Sequence, residues 1–406
     1  MLRVDGSPPR PARVAGVLGL TVAIVGLSHG LAAAAPCSEL PNPIYGIGGS
    51  ASKPLLGKIS QGLSQLPAPD TATLVFQAPG ACTGIYGLLE DRLLTGTASY
   101  WDATGVEKTC ELPVGGQAID YVNMANSAAL CPQAPDPLPS NIGDYEGPVE
   151  TVVLIAPTGS SQTVISGPAA YLVFGHGPQG LAAPWTNLDA LFIRDVNAAV
   201  QQLLGLAIRV PASKFAFGTN SLNQNGVIQN VATATDPEAA IGFVSGSAAD
   251  AARGQNTIKI LAYQHYGQRC GYLPDSSSTS FDKKNVRDGH YYIWTAQHFF
   301  AKKDPTSGQI VNPTVRRVFG YITGEVPLPA GFDLLKIQSQ AGVIPKCAMK
   351  VWREGDQGPI TPYTPEESCG HYFDSLNGGT TAQQCTADSE CPASAPECNY
   401  GYCEVQ

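Results

Sequence analysis

The sequence has few long apolar stretches, and beyond residue 35 it has no run of the roughly 20 apolar residues that a membrane-spanning helix needs. One shorter run, at residues 14–27, follows three arginines and precedes the small residues at 31–35. Basic residues, a short apolar run and small residues in this order are typical of an export signal. We therefore predict that residues 1–34 are a signal peptide, cleaved near Ala34. The mature chain would then be a soluble protein of the periplasm, the cell surface or the medium.

Charge is also scarce. Only 14% of the residues are Asp, Glu, Lys or Arg, against roughly 25% in an average soluble protein, and the formal net charge is −9. Removing the predicted signal, with its three arginines and one aspartate, would bring the net charge to about −11. Such a chain is a poor partner for nucleic acid, and it gives no long-range attraction to an anion.

Motifs for catalysis are missing from the predicted mature chain. There is no H-E-x-x-H zinc motif and no G-x-x-x-x-G-K-[ST] phosphate loop. The G-x-S-x-G pattern at residues 26–30 lies within the predicted signal. The histidines after residue 35 are not spaced four apart, as a helical metal site would need. We predict no enzymatic activity, no catalytic residue, no bound metal and no cofactor.

The eleven cysteines all follow the predicted cleavage point, where oxidising conditions favour disulfides. Cys385, Cys391, Cys398 and Cys403 predict a small knot of two bridges whose pairing the spacing leaves open, with zinc as the weaker alternative. Seven cysteines remain, so at least one is unpaired, lipidated or intermolecular. Cys37 is a candidate for lipidation, although Pro36 precedes it. Cys82 is a candidate for the free thiol, with a buried or disulfide-bonded state as the favoured alternative.

Short apolar runs alternate with helical patterns in the body of the chain. The runs and patterns lie at residues 73–76, 84–94, 150–156, 188–192, 198–208 and 240–244. This alternation is typical of βα units around a largely parallel sheet, so we predict an α/β fold. About 370 mature residues fit two lobes and an appendage. The appendage is residues 366–406, an acidic tail without Lys or Arg.

Five segments in the same order are similar to a known family. They are GIGGSASKP at 46–54, QAPGACTG at 77–84, AIDY at 118–121, RDVNAAV at 194–200 and EAAIGFV at 238–244. Together they resemble segments of periplasmic phosphate-binding proteins, the substrate-binding components of bacterial phosphate ABC importers. The resemblance implies a two-lobed periplasmic-binding-protein fold hinged over a cleft, within residues 35–365. Lobe I would comprise about 37–155 and 286–365, and lobe II about 156–285.

The sequence departs from this family where the family contacts phosphate. Ser50 and Ala51 replace a Thr-Phe pair, Ala81 replaces a ligand Ser, and residues 198–200 are Ala-Ala-Val instead of Ser-Gly-Thr. Residues 124–126 are Met-Ala-Asn where the family has its acceptor Asp. Each lost charge-assisted hydrogen bond costs about 1.5–3 kcal/mol, so losing three or more predicts weak phosphate binding.

The predicted ligand site consists of Ser50, Ala51, Thr83, Arg194 and Asn197. We expect Ser52, Thr83 and Asn197 to cap helices whose N-termini point into the cleft and favour an anion. Arg194 suits phosphate, sulfate or carboxylate, but a structural ion pair with Asp195 explains it equally well.

Two functions follow from these observations. The first is reversible binding of a small solute, with an anion as the candidate, by an importer component that delivers it to an ABC permease. The second is a cell-surface or interaction protein that uses a degenerate binding-protein scaffold and acts through its Cys-rich tail.

Overall fold

The computed structural model describes residues 35–216 and 223–405, so the predicted signal peptide at 1–34 lies outside the described residues. The helices are Lys53–Ser64 (α1), Ala81–Leu89 (α2), Gly167–His176 (α3), Ala199–Ile208 (α4), Gln224–Ala232 (α5), Gly246–Gly254 (α6), Lys284–Arg287 (α7), Pro313–Thr323 (α8), Leu334–Gln340 (α9) and Gly370–Leu376 (α10). No helix within the described part is long and apolar enough to cross a bilayer.

The strands range from two to sixteen residues. They are Pro43–Gly48 (β1), Thr73–Gln77 (β2), Leu93–Leu94 (β3), Thr97–Trp101 (β4), Glu107–Glu111 (β5), Gln117–Ala118 (β6), Tyr121–Met124 (β7), Ile142–Pro157 (β8), Val164–Ser166 (β9), Leu191–Phe192 (β10), Ile241–Ser245 (β11), Ile258–Ile260 (β12), Ala262–Gln264 (β13), Trp294–Lys302 (β14), Val351–Trp352 (β15), Thr361–Pro362 (β16), Glu397–Asn399 (β17) and Tyr402–Glu404 (β18).

Most of the longer strands form one mixed sheet in the order β10-β11-β8-β14-β7-β1-β2-β4-β5, with β12 also paired to β8. Strand β1 is parallel to β2 and β7, and β10 is parallel to β11. Parallel neighbours need a crossover, and α1 supplies it between β1 and β2. The predicted α/β class is therefore confirmed.

Strand β8 joins the two ends of this sheet. Its residues 142–151 pair with β14, whereas residues 152–155 pair with β11 and residues 155–157 with β12. Because the partner changes after Thr151, the first part of this strand pairs with β14 and its last part pairs with β11 and β12. Through β8, strands β1 and β10, each followed by a turn, belong to one continuous sheet.

The sheet is buried on two faces where β1 and β14 run. Ile44 and Phe299 belong to an apolar cluster shared with α1, α8 and α9, whereas Tyr45 and Phe300 belong to the larger cluster on the other side. Successive side chains of a strand point to opposite faces, which explains this division. Burial on both faces fixes the register of β1 and thus the position of the turn after it.

Ten of the eleven cysteines form disulfides. The pairs are Cys37–Cys110, Cys82–Cys131, Cys347–Cys369, Cys385–Cys398 and Cys391–Cys403. The unpaired thiol is that of the exposed Cys270, not that of Cys82. Cys37 has no free sulfur for a lipid in this state, and the four tail sulfurs are bonded to one another instead of being available to zinc.

The Cys-rich tail packs on the body through its first helix, and its last strand packs on that helix. Phe373 of α10 lies in the large apolar cluster, and Cys369 just before it is bonded to Cys347. At the other end the buried Glu404 carboxylate accepts from the Ser368 hydroxyl at 3.0 Å and from the His371 backbone N–H at 2.6 Å. Residues up to α10 therefore share the core of the body, and the disulfide knot follows them.

Candidate functional site

A cavity of about 230 Å³ lies where three turns meet. The turns follow β1, β2 and β10, and Asn223 at the start of α5 completes the lining in the described part of the chain. Of the predicted site residues, Ser50, Ala51 and Arg194 line this cavity. Thr83 and Asn197 do not line it, although both lie next to Gly80 in its wall.

Glycine is required at two points of this wall. Gly48 ends β1 with a φ of +156°, and a Cβ there would lie 2.0 Å from the Asn123 carbonyl oxygen. Gly80 has a φ of +141° at the turn between β2 and α2. Side chains avoid such backbone conformations, so these glycines let both turns fold back tightly beside the cavity.

Arg194 joins the turn after β10 to the turn after β1. Its side chain is 5% exposed, and its Nη2 donates to the Ser50 Oγ at 3.0 Å, while its Nη1 lies 3.4 Å from the Gln224 Oε1. Burial lowers the pKa of the guanidinium to about 10, and the neighbouring Asp195 opposes that shift. Arg194 therefore stays charged at neutral pH and places a buried cation at the cavity wall.

Gln224 holds this arginine from behind. Its Oε1 also accepts from the Ser245 hydroxyl at 2.9 Å and from the Ser245 N–H at 3.1 Å. Ser245 ends β11 and caps α6, so the orientation of Arg194 is tied to the sheet. Two contacts on different nitrogens restrict rotation of the planar guanidinium and fix its orientation at the cavity wall.

Asp195 and Asn197 shape the turn before α4. The Asp195 Oδ1 accepts from the Asn197 backbone N–H at 2.8 Å, and the Ala198 N–H donates to the Asp195 carbonyl oxygen, also at 2.8 Å. The Asn197 carbonyl oxygen in turn accepts from the Cys82 N–H of α2 at 3.4 Å. Asn197 thus connects two of the three turns through its backbone.

The predicted helix caps are wrong in detail. The N-caps of α1, α2 and α4 are Ser52, Gly80 and Ala198, and within the described residues none of them accepts a side-chain cap hydrogen bond. Ser52 occupies its predicted position, but its hydroxyl donates to the Asn123 carbonyl oxygen. Thr83 lies inside α2 and Asn197 precedes the cap of α4, because each helix starts at a different residue from the one predicted.

Five other helices in the described part have side-chain caps, among them α5, which also starts at the cavity, whereas α7 and α10 have none. The caps of α3, α5, α6, α8 and α9 are Ser166, Asn223, Ser245, Asn312 and Asp333, and each side chain accepts from a backbone N–H of its own first turn. Uncapped first turns leave N–H groups for water or a ligand. The first turn of α4, where Ala199 and Val200 line the cavity, has no side-chain cap.

Two polar side chains that the sequence did not single out cross between these elements. The Asn126 Nδ2 donates to the Gln202 Oε1 at 2.7 Å, and the Gln202 Nε2 lies 3.1 Å from the Cys82 sulfur. Asn126 lies in the stretch where the resembled family has its acceptor Asp. Its position in the sequence could therefore have marked it as a candidate. Gln202 and Gln224 gave none, because polar residues inside helices are ordinarily solvent-exposed.

The replaced positions make much of the wall apolar. Ala51, Ala198, Ala199 and Val200 line the cavity and are all buried. Their methyl groups offer no hydrogen-bond partner. Among the described residues, the wall therefore combines the Arg194 guanidinium, the Asp195 carboxylate and the polar Ser50 and Asn223 with an apolar surface.

No protein-family model and no curated protein matches the sequence. Among solved structures, a putative phosphate ABC transporter substrate-binding protein from Clostridium perfringens, solved with bound phosphate, aligns over 75% of this chain and 99% of its own length, with a TM-score of 0.50 and 10% identity. The chain has the fold of a substrate-binding protein of this type. An ABC-type phosphate transport receptor from Vibrio cholerae also aligns over 75% of this chain and 100% of its own, with a TM-score of 0.47 and 10% identity.

The predicted resemblance is thus confirmed for the fold, at a sequence identity of only 10%. The aligned share leaves a quarter of the chain without a counterpart in that structure.

Proposed function

We propose that this chain is an exported solute-binding protein that reversibly holds a small anion in the cavity at Arg194. The observation that carries this proposal is the buried guanidinium at a cavity wall formed by turns from both ends of the sheet. A buried cation beside an uncapped helix start, that of α4, can bind an anion without lysine. Five disulfides support an oxidising, extracytoplasmic compartment.

The lobes of the proposal are residues 37–155 with 286–365, and residues 156–285. Ser50 belongs to the first and Arg194 to the second, so their 3.0 Å contact would form and break as the lobes close and open. A ligand that touches both lobes would favour the closed state. By analogy with the phosphate transport proteins of the same fold, the partner would be an ABC permease, and the chain would not be an enzyme.

Titration calorimetry tests the proposal with phosphate, sulfate, methylphosphonate and small carboxylates, on the wild type and on Arg194→Gln. We expect heat from at least one anion and at least a tenfold weaker affinity in the variant, because a charge-assisted bond contributes about 1.5–3 kcal/mol. Arg316→Gln on the exposed side of α8 is the matched control and should bind as the wild type does. No heat from any anion would contradict the proposal.

The disulfide knot supports the alternative function, that of a cell-surface or interaction protein. Glu404 joins the knot to the start of α10, while Tyr400 at the hairpin turn is exposed. A chain ending at residue 379 would keep Cys369 and Phe373 in place and lose only the knot. If this truncation releases the protein from its cell surface or its partner while anion binding is unchanged, the knot is the contact module.

A further inference from the structure

The start of α1 borders two cavities. Ser50 and Ala51 line the cavity at Arg194, whereas Lys53 and Pro54, in the next turn of the chain, line a second cavity of about 470 Å³. This volume lies within the roughly 300–1,000 Å³ of clefts that hold organic molecules. We infer that the second cavity binds an acidic monosaccharide, a sugar ring that carries one carboxylate. The inference does not depend on anion binding at Arg194.

The walls of the second cavity come from three parts of the chain. Lys58 of α1 and Trp101 of β4 belong to lobe I in the proposed division. Asp250 of α6 and Phe281 belong to lobe II, and Asn377 follows α10 in the tail. A ligand in this cavity would therefore touch both proposed lobes and the tail.

The charges of the wall favour a ligand with one negative charge. Lys53 donates to the Glu107 carboxylate, and the Asp250 carboxylate lies 2.6 Å from the Lys283 Nζ. Lys58 has neither an ion pair nor a hydrogen bond from its ammonium group within the described part of the chain. The uncompensated charge of the wall is thus positive, so a carboxylate is attracted and a cationic ligand is repelled.

Two polar side chains suit the hydroxyl groups of a sugar. Trp101 is only 5% exposed, and its indole N–H, which lies beside Gly57 of the same lining, has no partner among the residues described. A buried indole N–H ordinarily has one. The Asn377 Nδ2 donates to the Ser339 Oγ and to the Phe373 carbonyl oxygen, both at 2.8 Å, which leaves the Asn377 Oδ1 as an acceptor. A hydroxyl both accepts and donates, so a sugar can use both groups.

An aromatic ring supplies the apolar part of the wall. The Phe281 side chain lines the cavity and is 36% exposed, with the Arg253 guanidinium 4.2 Å from the centre of its ring. The C–H groups of a sugar ring form an apolar surface that gains from contact with such a side chain. Inorganic anions have no surface of this kind, and an aliphatic acid has no hydroxyls for Trp101 and Asn377.

Titration of the full chain with glucuronate, glucose and cyclohexanecarboxylate tests the inference, by calorimetry and by tryptophan fluorescence at constant ionic strength. Glucuronate should bind at least about fivefold more tightly than either of the others, because glucose lacks the charge and cyclohexanecarboxylate lacks the hydroxyls. No binding of glucuronate would overturn the inference. Equal or tighter binding of glucose or of cyclohexanecarboxylate would also overturn it.

Four variants locate the ligand. Lys58→Gln should weaken glucuronate about fivefold and leave glucose unchanged, whereas Trp101→Phe, which keeps an aromatic ring and removes the N–H, should weaken both sugars. Lys336→Gln, at an exposed position of α9 outside this lining, is the matched control and should bind as the wild type does. Arg194→Gln should also leave glucuronate unchanged.

The variants separate this inference from the proposed function. If Arg194→Gln weakens glucuronate while Lys58→Gln and Trp101→Phe do not, the sugar acid lies in the cavity at Arg194. That result would overturn the second site and support anion binding at the first. Loss of anion binding at Arg194 with glucuronate binding intact would overturn only the proposed function.

Discussion

Two buried charged residues show how position decides what an ionisable group does. Arg194 keeps its charge because its partners Ser50 and Gln224 are polar and its pKa of about 10 is still far above neutrality. Glu150 on β8 is 1% exposed, and burial raises the pKa of its carboxyl to about 7, although hydrogen bonds from Ser247 oppose this. The first group can serve a ligand. The second is a structural group that titrates near neutral pH.

Glu150 should make stability depend on pH. The folded chain holds this proton up to about pH 7, whereas the unfolded chain releases it near 4.5. Between these values the folded state binds more protons, so the free energy of unfolding falls as pH rises, by roughly 3 kcal/mol at most. Urea unfolding of Glu150→Gln from pH 4.5 to 8 should show a flatter profile than the wild type.

The matched control for this residue is Glu146→Gln, on the same strand but exposed and paired with Lys346. Its pH profile should follow that of the wild type. If Glu150→Gln retains the full decline between pH 4.5 and 7, another group is responsible and the assignment to Glu150 is wrong.

At the scale of secondary-structure elements, some helices have a side-chain cap at their N-terminus and others have none. Asn312 caps α8 with its Oδ1, which accepts from the Thr314 N–H at 2.9 Å, and its Nδ2 donates to Asp120. Ala198 occupies the corresponding position of α4 with a φ of −79° and a ψ of 127°, suitable for a cap, but has no oxygen to offer. Binding sites often forgo local stability in this way.

Introducing the missing cap should stabilise the chain. Ala198→Ser places a hydroxyl where it can accept from the first turn of α4, so the free energy of unfolding should rise by about 0.5–2 kcal/mol. Asn312→Ala should lower it by a similar amount, because it removes an existing cap. Thermal and urea unfolding without ligand measure both. A loss of stability in Ala198→Ser would mean that the first turn of α4 is already satisfied.

At the scale of the whole molecule, five disulfides hold segments that are far apart in sequence. Cys37–Cys110 closes the longest loop, with a sequence separation of 73, whereas the two tail bridges have sequence separations of 13 and 12. Closing a loop restricts the unfolded chain, more so for longer loops. The long bridge therefore stabilises lobe I in the proposed division, and the short ones stabilise a knot too small for its own core.

Thiol counting checks this arrangement. The native chain should react with one equivalent of a thiol reagent at Cys270, and denaturation without reductant should expose no further thiol. A peptide map under non-reducing conditions should recover the five pairs. Two or more equivalents would show that a bridge is missing, and none would place Cys270 in an intermolecular bond.

The sequence by itself determined the α/β class, the order of the βα units and the resemblance to phosphate-binding proteins, because periodicity, glycine turns and segment order are local properties of the chain. It also identified Arg194, Ser50 and Ala51, which line one cavity. Only the tertiary structure decided which cysteine is unpaired, where the helices begin, that Gln224 holds Arg194, and that Gln202 connects Asn126 with Cys82. Those features depend on distances between residues far apart in sequence, and such distances are set by packing rather than by local pattern.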